Sequence, residues 1–328
     1  MRNILCVTLI ALLGGCTSTS VTEKYQDKRN DIINVKEFET GNVLIGSVSR
    51  LYMSNKCLLI ADHKSVDKQI HIFNKNDFSY LTSIGNFGEG PEEITVMGCL
   101  AIDEAHHQLY VSDHAKQKIF SYDMDSVMVD SLYKPQVKTA MNETLFPSEY
   151  QYINDTLSIA VLIKPTSTST FNQFLGRWNM NTGEMIPMKY THPDIQKKRI
   201  TFAASEKAGI YVECYTRHDL MTICSLDGEL LYNIYGPDWD GGNGNKLQSF
   251  GTVMIGNDKI FVSYCGEDYA RDSFPTKILV FDLEGNYLKT LETGYKISDC
   301  CYDSFNNRII LSLNDVVQFA YLDIDGII

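Results

Sequence analysis

Long apolar segments are missing from this sequence of 328 residues. Its longest apolar run, residues 4–13, has about ten residues, whereas a membrane-spanning helix needs about 18 to 20. Basic residues are also scarce, because 29 Lys and Arg stand against 41 Asp and Glu, giving a net charge of −12. This balance argues against a nucleic-acid binder, which needs clustered Lys and Arg to neutralise phosphates.

A helical pattern is absent as well. No segment keeps an apolar stripe with a period of 3.6 residues, so helices can only be minor elements. The 19 Tyr and 15 Phe, against 8 Pro, favour strands. The sequence also lacks a G-x-S-x-G nucleophile elbow, EF-hand spacing and a C-x-x-C pair. These absences remove the common motifs of a serine hydrolase, a calcium loop and a zinc ribbon.

The N-terminal residues have the order of a bacterial lipoprotein signal. A basic start and the apolar run are followed by Leu13-Gly14-Gly15-Cys16, which resembles a lipobox. The resemblance implies that Cys16 becomes the lipidated N-terminus, although an ordinary signal peptide with a chance cysteine is the alternative. We therefore predict a signal peptide at residues 1–15, a lipidated cysteine and flexible tether at residues 16–30, and a folded domain at residues 31–328.

Seven further cysteines follow Cys16, and four of them lie in apolar, strand-like runs. Such cysteines usually act as small buried hydrophobic residues. We expect free buried thiols, although an exported protein can also form disulfides. The seven are Cys57, Cys99, Cys214, Cys224, Cys265, Cys300 and Cys301.

One pattern of short strands and tight turns recurs along the rest of the chain. Its clearest copies are residues 56–85, 108–133 and 258–294, and weaker copies are residues 156–190, 208–236 and 307–328. Equivalent strand positions lie roughly 40 to 57 residues apart, the period of four-stranded blades. Six copies predict an all-β fold, a six-bladed β-propeller of four-stranded antiparallel blades. The positions are Phe73, Tyr122, Trp178, Cys224, Phe281 and Tyr321.

The last copy has room for only about three strands. Residues 32–38 (IINVKEF) are strand-like and precede the first blade. We predict that they supply the outer strand of the last blade and close the ring.

Two strand pairs and the lipobox carry a family resemblance. The pairs are residues 58–62 with 70–73 and residues 109–113 with 119–122, and the blade junction at residues 85–93 is also similar. On these features the chain resembles the six-bladed TolB-like and NHL-like propeller lipoproteins of Bacteroides-type bacteria. The resemblance implies a propeller fold and a place in the cell envelope, and it implies no reaction and no catalytic residue.

Loop lengths distinguish the two faces of the predicted propeller. The turns after the third strands, at residues 74–77, 123–126, 181–183, 227–228, 284–286 and 325–326, are predicted to be short. The opposite face, called here the long-loop face, collects residues 134–148, 164–173, 236–249 and 265–276. Since binding usually resides on long loops of a rigid scaffold, we predict that the long-loop face and the channel mouth bind the partner.

Ten polar or aromatic residues on this face are the candidate site. Each of them has a structural alternative. In the two Asp-His pairs, the Asp could cap the end of its strand and the His could be a solvated neighbour. The arginines could be ordinary surface charges, and the tryptophan could anchor its loop. The functional readings are a shared His/Asp cluster, an anion site at the arginines and a stacking platform at the tryptophan. The residues are Asp62, His63, Asp113, His114, Arg217, His218, Trp239, Asp240, Tyr269 and Arg271.

Three functions remain open from the sequence. The preferred one is a non-catalytic module, held in the envelope by its lipid and placed in the outer membrane, that binds an envelope protein or a glycan. A metal-assisted hydrolase or lactonase at the channel mouth is the alternative, and a structural scaffold is the third. No cofactor is predicted, Ca²⁺ is left open, no residue is assigned as catalytic, and the side of the outer membrane is undecided.

Overall fold

A computed structural model describes residues 21–24, 30–243, 247–271 and 273–328. The predicted lipidation site, Cys16, lies outside the described residues. In chain order the elements are β1 (Val21–Lys24), β2 (Asn30–Ile32), β3 (Lys36–Glu37), β4 (Ser49–Met53), β5 (Cys57–Asp62), β6 (Lys68–Asn74), β7 (Tyr80–Asn86), β8 (Met97–Asp103), β9 (Gln108–Asp113), β10 (Lys118–Asp123), α1 (Met124–Val129), β11 (Gln136–Ala140), β12 (Phe146–Asn154), β13 (Leu157–Pro165), β14 (Phe171–Trp178), β15 (Met185–Pro187), β16 (Ile200–Ser205), β17 (Ile210–Tyr215), β18 (Leu220–Ser225), β19 (Leu230–Tyr235), β20 (Leu247–Gly256), β21 (Lys259–Asp268), a 3₁₀ turn (Tyr269–Arg271), β22 (Lys277–Asp282), β23 (Tyr287–Glu292), β24 (Ile297–Asp303), β25 (Arg308–Leu313) and β26 (Phe319–Asp323).

These strands form six blades, which confirms the predicted fold class. Blades 1 to 5 are β4–β7, β8–β11, β12–β15, β16–β19 and β20–β23, and blade 6 is β24–β26 completed by β3. The four strands of each blade pair in antiparallel fashion. The first strands of the blades, β4, β8, β12, β16, β20 and β24, line a central channel.

The core consists of apolar layers between neighbouring blades. β5 shows why, because all six of its residues are buried. Leu58 and Ile60 face blade 6, whereas Leu59 and Ala61 face blade 2. A strand covered on both sides reads as a continuous apolar run, and alternate side chains serve opposite layers. Six such layers, one at each junction, hold the ring together.

Ring closure follows the prediction in part. Lys36 and Glu37 pair antiparallel with β26 and form the outer strand of blade 6, and the Phe38 N–H donates to the Phe319 carbonyl at 3.2 Å. The preceding residues behave differently. β2, which contains Ile32, runs parallel to β23 of blade 5.

An N-terminal belt therefore crosses several blades. β1 runs parallel to β19 of blade 4, β2 runs parallel to β23 of blade 5, and β3 completes blade 6. β1 lies within the segment that the sequence places in the tether. The belt covers the outer edges of blades 4 and 5, which would otherwise expose unpaired backbone groups.

Blade 2 departs from the predicted pattern. Residues 123–126 are not a tight turn: Asp123 caps α1, its carboxylate accepting from the Ser126 N–H at 2.7 Å. Val127 packs into the layer between blades 1 and 2, and this burial outweighs the strand preference of the Val-Met-Val run. The fourth strand of the blade, β11, begins only at Gln136. Residues 134–148 are consequently mostly strand, and residues 141–145 alone remain as a loop on the long-loop face.

Two further observations bear on the sequence analysis. All seven cysteines among the described residues are free and buried, as expected. In the described part of the chain, no helix is long and apolar enough to cross a membrane.

Phe38→Ala should weaken the closure of the ring. The Phe38 ring stacks on Phe78 of blade 1, with centroids 3.9 Å apart, and lies 5.8 Å from the Phe319 ring of blade 6. Removing this half-buried ring should lower the free energy of unfolding by about 2 kcal/mol. Chemical denaturation measures the change, and Leu44→Ala, at a side chain that is 95% exposed, is the matched control. Equal stability of the two variants would show that closure of the ring does not depend on Phe38.

Candidate functional site

The two Asp-His pairs occupy equivalent places in blades 1 and 2. Asp62 is buried and accepts from the Gly46 N–H at 2.7 Å and from the Lys64 N–H at 2.9 Å. Asp113 is also buried and accepts from four backbone N–H groups at 2.8 to 3.2 Å. The donors are Thr95, Val96, Ala115 and Lys116. Each carboxylate thus ties its own hairpin to the preceding inter-blade link, which favours the structural reading.

The neighbouring histidines pack against the next blade. His63 Nδ1 donates to the carbonyl of Met97, the first residue of β8, at 3.2 Å. The ring of His114 lies 6.0 Å from that of Phe146, the first residue of β12. Burial is the main cause that lowers the pKa of both histidines. Both imidazoles are therefore mostly neutral at pH 7 and lie between blades rather than in open solvent.

The mouth of the channel carries a paired set of charges. Arg50 Nη1 donates to Glu149 Oε1 at 3.1 Å across a cavity of about 460 Å³. Asp299 accepts from the Leu51 N–H at 2.8 Å and from the Thr252 hydroxyl at 2.7 Å, and burial raises its pKa. These acids do not meet Asp62, Asp113 or the two histidines as a ligand set for a metal ion.

Within residues 33–243, 247–271 and 273–328, one group of three side chains could hold a metal ion. It lies on the other face, where one atom each of Asp103, His106 and Asp155 falls within 4.8 Å of the others. Asp103 is buried, with its Oδ2 2.8 Å from His106 Nδ1, and this hydrogen bond raises the pKa of His106. Asp103 and His106 thus pair with each other, and Asp155 Oδ1 accepts from the Tyr152 hydroxyl at 2.7 Å. Whether the protein binds Ca²⁺ stays an open prediction.

The other six candidates lie at the junction of blades 4 and 5. The Arg217 guanidinium stacks over the Tyr269 ring, 3.1 Å from its centroid. His218 Nδ1 lies 4.0 Å from Asp240 Oδ1, and the His218 ring lies 6.1 Å from that of Trp239. Arg271 is exposed at the end of the same 3₁₀ turn as Tyr269. These side chains come from two blades, and their spacing in the sequence does not show that they lie together.

Trp239 is an anchor of its loop. Its ring contacts those of Tyr235 at 5.0 Å and His192 at 5.4 Å, and the His192 ring nitrogen Nε2 lies 2.9 Å from the Tyr235 hydroxyl. The Trp239 side chain is thereby partly buried. The structure places it as support beneath the loop, which leaves little of its face for stacking on a ligand.

A cavity of about 280 Å³ opens beside this group. Its walls are Arg217, His218, Asp219, Asp238, Asp240, Leu247 and Ser249. The wall is held from both sides: the Asp238 N–H donates to Asp219 Oδ2 at 2.9 Å, and the Ser249 N–H donates to the Thr216 carbonyl at 3.0 Å. Blade 4 and the first strand of blade 5 therefore fix its shape.

Two buried polar atoms in this wall have no hydrogen-bond partner among the described residues. They are Nδ1 of His218, a residue 6% exposed, and Oγ of Ser249, a residue 1% exposed. Burial also lowers the pKa of His218. An unpartnered buried polar group costs about 1 to 3 kcal/mol, so a ligand that hydrogen-bonds to both atoms would remove this cost.

Comparison with known proteins agrees with this architecture. Residues 22–173 match the model of the DUF5128 family, described as a 6-bladed beta-propeller. The chain is a six-bladed β-propeller similar to DUF5128. No curated protein matches it.

Solved structures show the same fold at low sequence identity. A protein of Bacteroides fragilis described as exported has a TM-score of 0.58 and 14% identity, covering 88% of this chain and 87% of its own. A DUF4221 member from Bacteroides vulgatus has a TM-score of 0.56 and 10% identity, covering 87% and 93%. A luciferin-regenerating enzyme has a TM-score of 0.57 and 8% identity, covering 88% and 94%. At these identities the likeness establishes the propeller alone.

Sequence reasoning missed part of the wall of this propeller's cavity. Ser249 is the third residue of β20 and carries no motif, so only the fold reveals that it faces the blade 4 loop. The buried ion pair of Lys198 Nζ and Glu213 Oε1, 2.8 Å apart beneath the same loops, was missed as well. A charged residue inside the apolar run of β17 was the available signal for Glu213.

Asp113→Ala should destabilise the propeller because four backbone N–H groups lose their acceptor. We expect the free energy of unfolding to fall by about 2 to 3 kcal/mol. Thermal and chemical denaturation measure this loss. Glu143→Ala, which removes an exposed carboxylate from the next link, should change stability by less than about 0.5 kcal/mol. An Asp113→Ala variant of unchanged stability would contradict the structural role and return Asp113 to the list of ligand groups.

Proposed function

We propose that this protein is a lipid-anchored, non-catalytic binding module of the cell envelope. It binds a protein or glycan partner through the long-loop face, and the lipid on Cys16 holds it in the outer membrane. The observation that carries the proposal is the cavity between blades 4 and 5, where buried polar atoms without partners face the same side as the long loops.

The contrast between the faces supports this choice. On the long-loop face, the hairpin loop at residues 269–271 and 273–276 and the link at residues 188–199 project from a rigid ring. The loop predicted at residues 164–173 is shorter than expected, because β13 and β14 reduce it to residues 166–170. Surface loops on a rigid scaffold are the usual place for recognition. Most turns on the other face have only two to six residues, and α1 is the exception.

The state of the candidate acids also favours binding over catalysis. Asp62 and Asp113 hold backbone N–H groups, and Glu149 is paired with Arg50, so these acids already serve the fold. The alternative, a hydrolase at the channel mouth, would need several such groups to converge on one point. A DUF4221 protein and an exported protein of Bacteroides share the fold, which is consistent with a place in the envelope.

Blocking one face at a time tests the binding role. Val66 lies in a long-loop-face hairpin and is 82% exposed, and Val129 lies at the end of α1 on the other face and is 88% exposed. In a chain with Cys6→Ala and Cys16→Ala, either Val66→Cys or Val129→Cys gives a single exposed thiol for a polyethylene glycol maleimide. We expect the label at position 66 to abolish binding to arrayed envelope polysaccharides or envelope proteins, and the label at position 129 to leave it intact.

Two results would overturn this assignment. Equal binding by both labelled chains would show that neither face matters, and loss of binding only with the label at position 129 would move the site to the other face. The native cysteines of the described residues are buried and should not react, which unlabelled parent protein controls for.

Cys16→Ala should move the protein from the membrane fraction to the soluble fraction. Two or more acyl chains on Cys16 would hold the protein firmly, and no other described segment could replace them as a spanning helix. Fractionation of cells followed by immunoblotting measures the distribution. Cys6→Ala is the matched control and should stay with the membrane. Continued membrane association of Cys16→Ala would refute the lipobox interpretation.

A further inference from the structure

The cavity between blades 4 and 5 combines two buried polar atoms with a rim of charged side chains. Ser249 Oγ and His218 Nδ1 belong to buried residues of its wall, and neither atom has a hydrogen-bond partner among the described residues. Each of these atoms can donate or accept a hydrogen bond, depending on the hydroxyl rotamer and the imidazole tautomer. A ligand with hydroxyl groups, each of which can donate and accept, is suited to both atoms.

The rim narrows the choice of ligand. The Arg217 guanidinium and the Asp238 and Asp240 carboxylates line the same small opening, together with Asp219, whose Oδ2 accepts from the Asp238 N–H. The guanidinium would repel an ammonium group, and the carboxylates would repel an anionic group. A neutral hydroxyl group can instead donate to a carboxylate and accept from the guanidinium, so hydroxyl groups suit both signs of charge.

The size of the cavity sets a limit on the ligand. About 280 Å³ is at the lower end of small-molecule sites, which begin near 300 Å³. A single sugar ring is therefore suitable, whereas an oligosaccharide would have to extend over the rim. Leu247 supplies one apolar wall for the C–H face of such a ring.

We propose that this cavity binds one neutral sugar ring, the exposed terminal residue of a glycan, through hydrogen bonds from its hydroxyl groups to Ser249, His218 and the Asp240 carboxylate. The assignment rests on the proposed function and names its ligand class. The fold supports it as well. The cavity is built from two blades, and the Thr216 carbonyl, which accepts from the Ser249 N–H, ties β20 to the loop of blade 4.

Methyl glycosides of glucose, galactose and mannose are the probes. Saturation-transfer NMR on the soluble Cys16→Ala chain should show binding of at least one of them, and calorimetry gives its dissociation constant. Ser249→Ala should weaken this binding about fivefold or more, because one buried hydrogen bond is lost. Asp240→Asn should weaken this binding as well, since the amide keeps only one of the two acceptor oxygens of the carboxylate and has nearly the same shape.

Ser158→Ala is the matched control. Ser158 is 1% exposed, and its Oγ also lacks a partner in the described part of the chain, but it lies in β13 of blade 3. Its variant should bind like the parent chain. Thermal unfolding of all three variants shows that the fold is kept.

Three outcomes would overturn the assignment. If no glycoside binds while the label at position 66 still blocks binding to envelope material, the ligand class is wrong and the binding role stands. If a glycoside binds equally to Ser249→Ala and Ser158→Ala, the sugar sits elsewhere. If no glycoside binds, but a peptide from an envelope protein binds the parent chain and binds Ser249→Ala more weakly, the partner is a protein. Loss of face-dependent binding itself would instead remove the proposed function.

Discussion

Apolar packing between neighbouring blades is the constraint on which this structure depends. Each middle strand is buried on both sides, so its alternate side chains belong to two different layers, as those of β5 do. No blade has a core of its own. A blade is stable only between two others, and the circle must close for the first and last blades to be covered. The N-terminal belt, the packing of Phe38 between blades 1 and 6 and the fixed positions of the loops all follow from this requirement.

The same packing determines what the polar residues can do. Carboxylates at strand ends, such as Asp62 and Asp113, face backbone N–H groups of the links and stabilise the junctions. Their repetition in sequence is a property of the blade, not of a site. Polar atoms that break the repeat carry more information. Ser249 and His218 lie at the junction of blades 4 and 5, each has a buried polar atom without a partner among the described residues, and both line the cavity there.

Much of the fold could be read from the sequence, because β-branched and aromatic runs with a regular period specify blades. The helix α1 could not be predicted, because its Val-Met-Val run favours a strand. Only the burial of Val127 between blades 1 and 2 explains the helix. The parallel course of β1 and β2 on blades 4 and 5 also leaves no local signal. For the site, the order of the strands predicts that Arg217 and Tyr269 lie on the same face. The contact between them depends on how blades 4 and 5 pack together, which the sequence does not show. Ser249 lies at the end of the predicted loop at residues 236–249 but was not singled out, because a serine near the start of a strand has no distinctive neighbours.

The register of β1 sets the direction in which the molecule would stand on a surface. β19 runs from the short turn at residues 226–229 towards the link at residue 236, and β1 is parallel to it, with Val21 beside Tyr232 and Lys24 beside Tyr235. The chain thus enters the belt from the side of the short turns. Val21 is the fifth residue after Cys16, so the two can lie at most about 18 Å apart. A lipid on Cys16 would therefore keep the short-turn side of blade 4 near the bilayer and turn the cavity between blades 4 and 5 outward, towards molecules approaching from the aqueous phase.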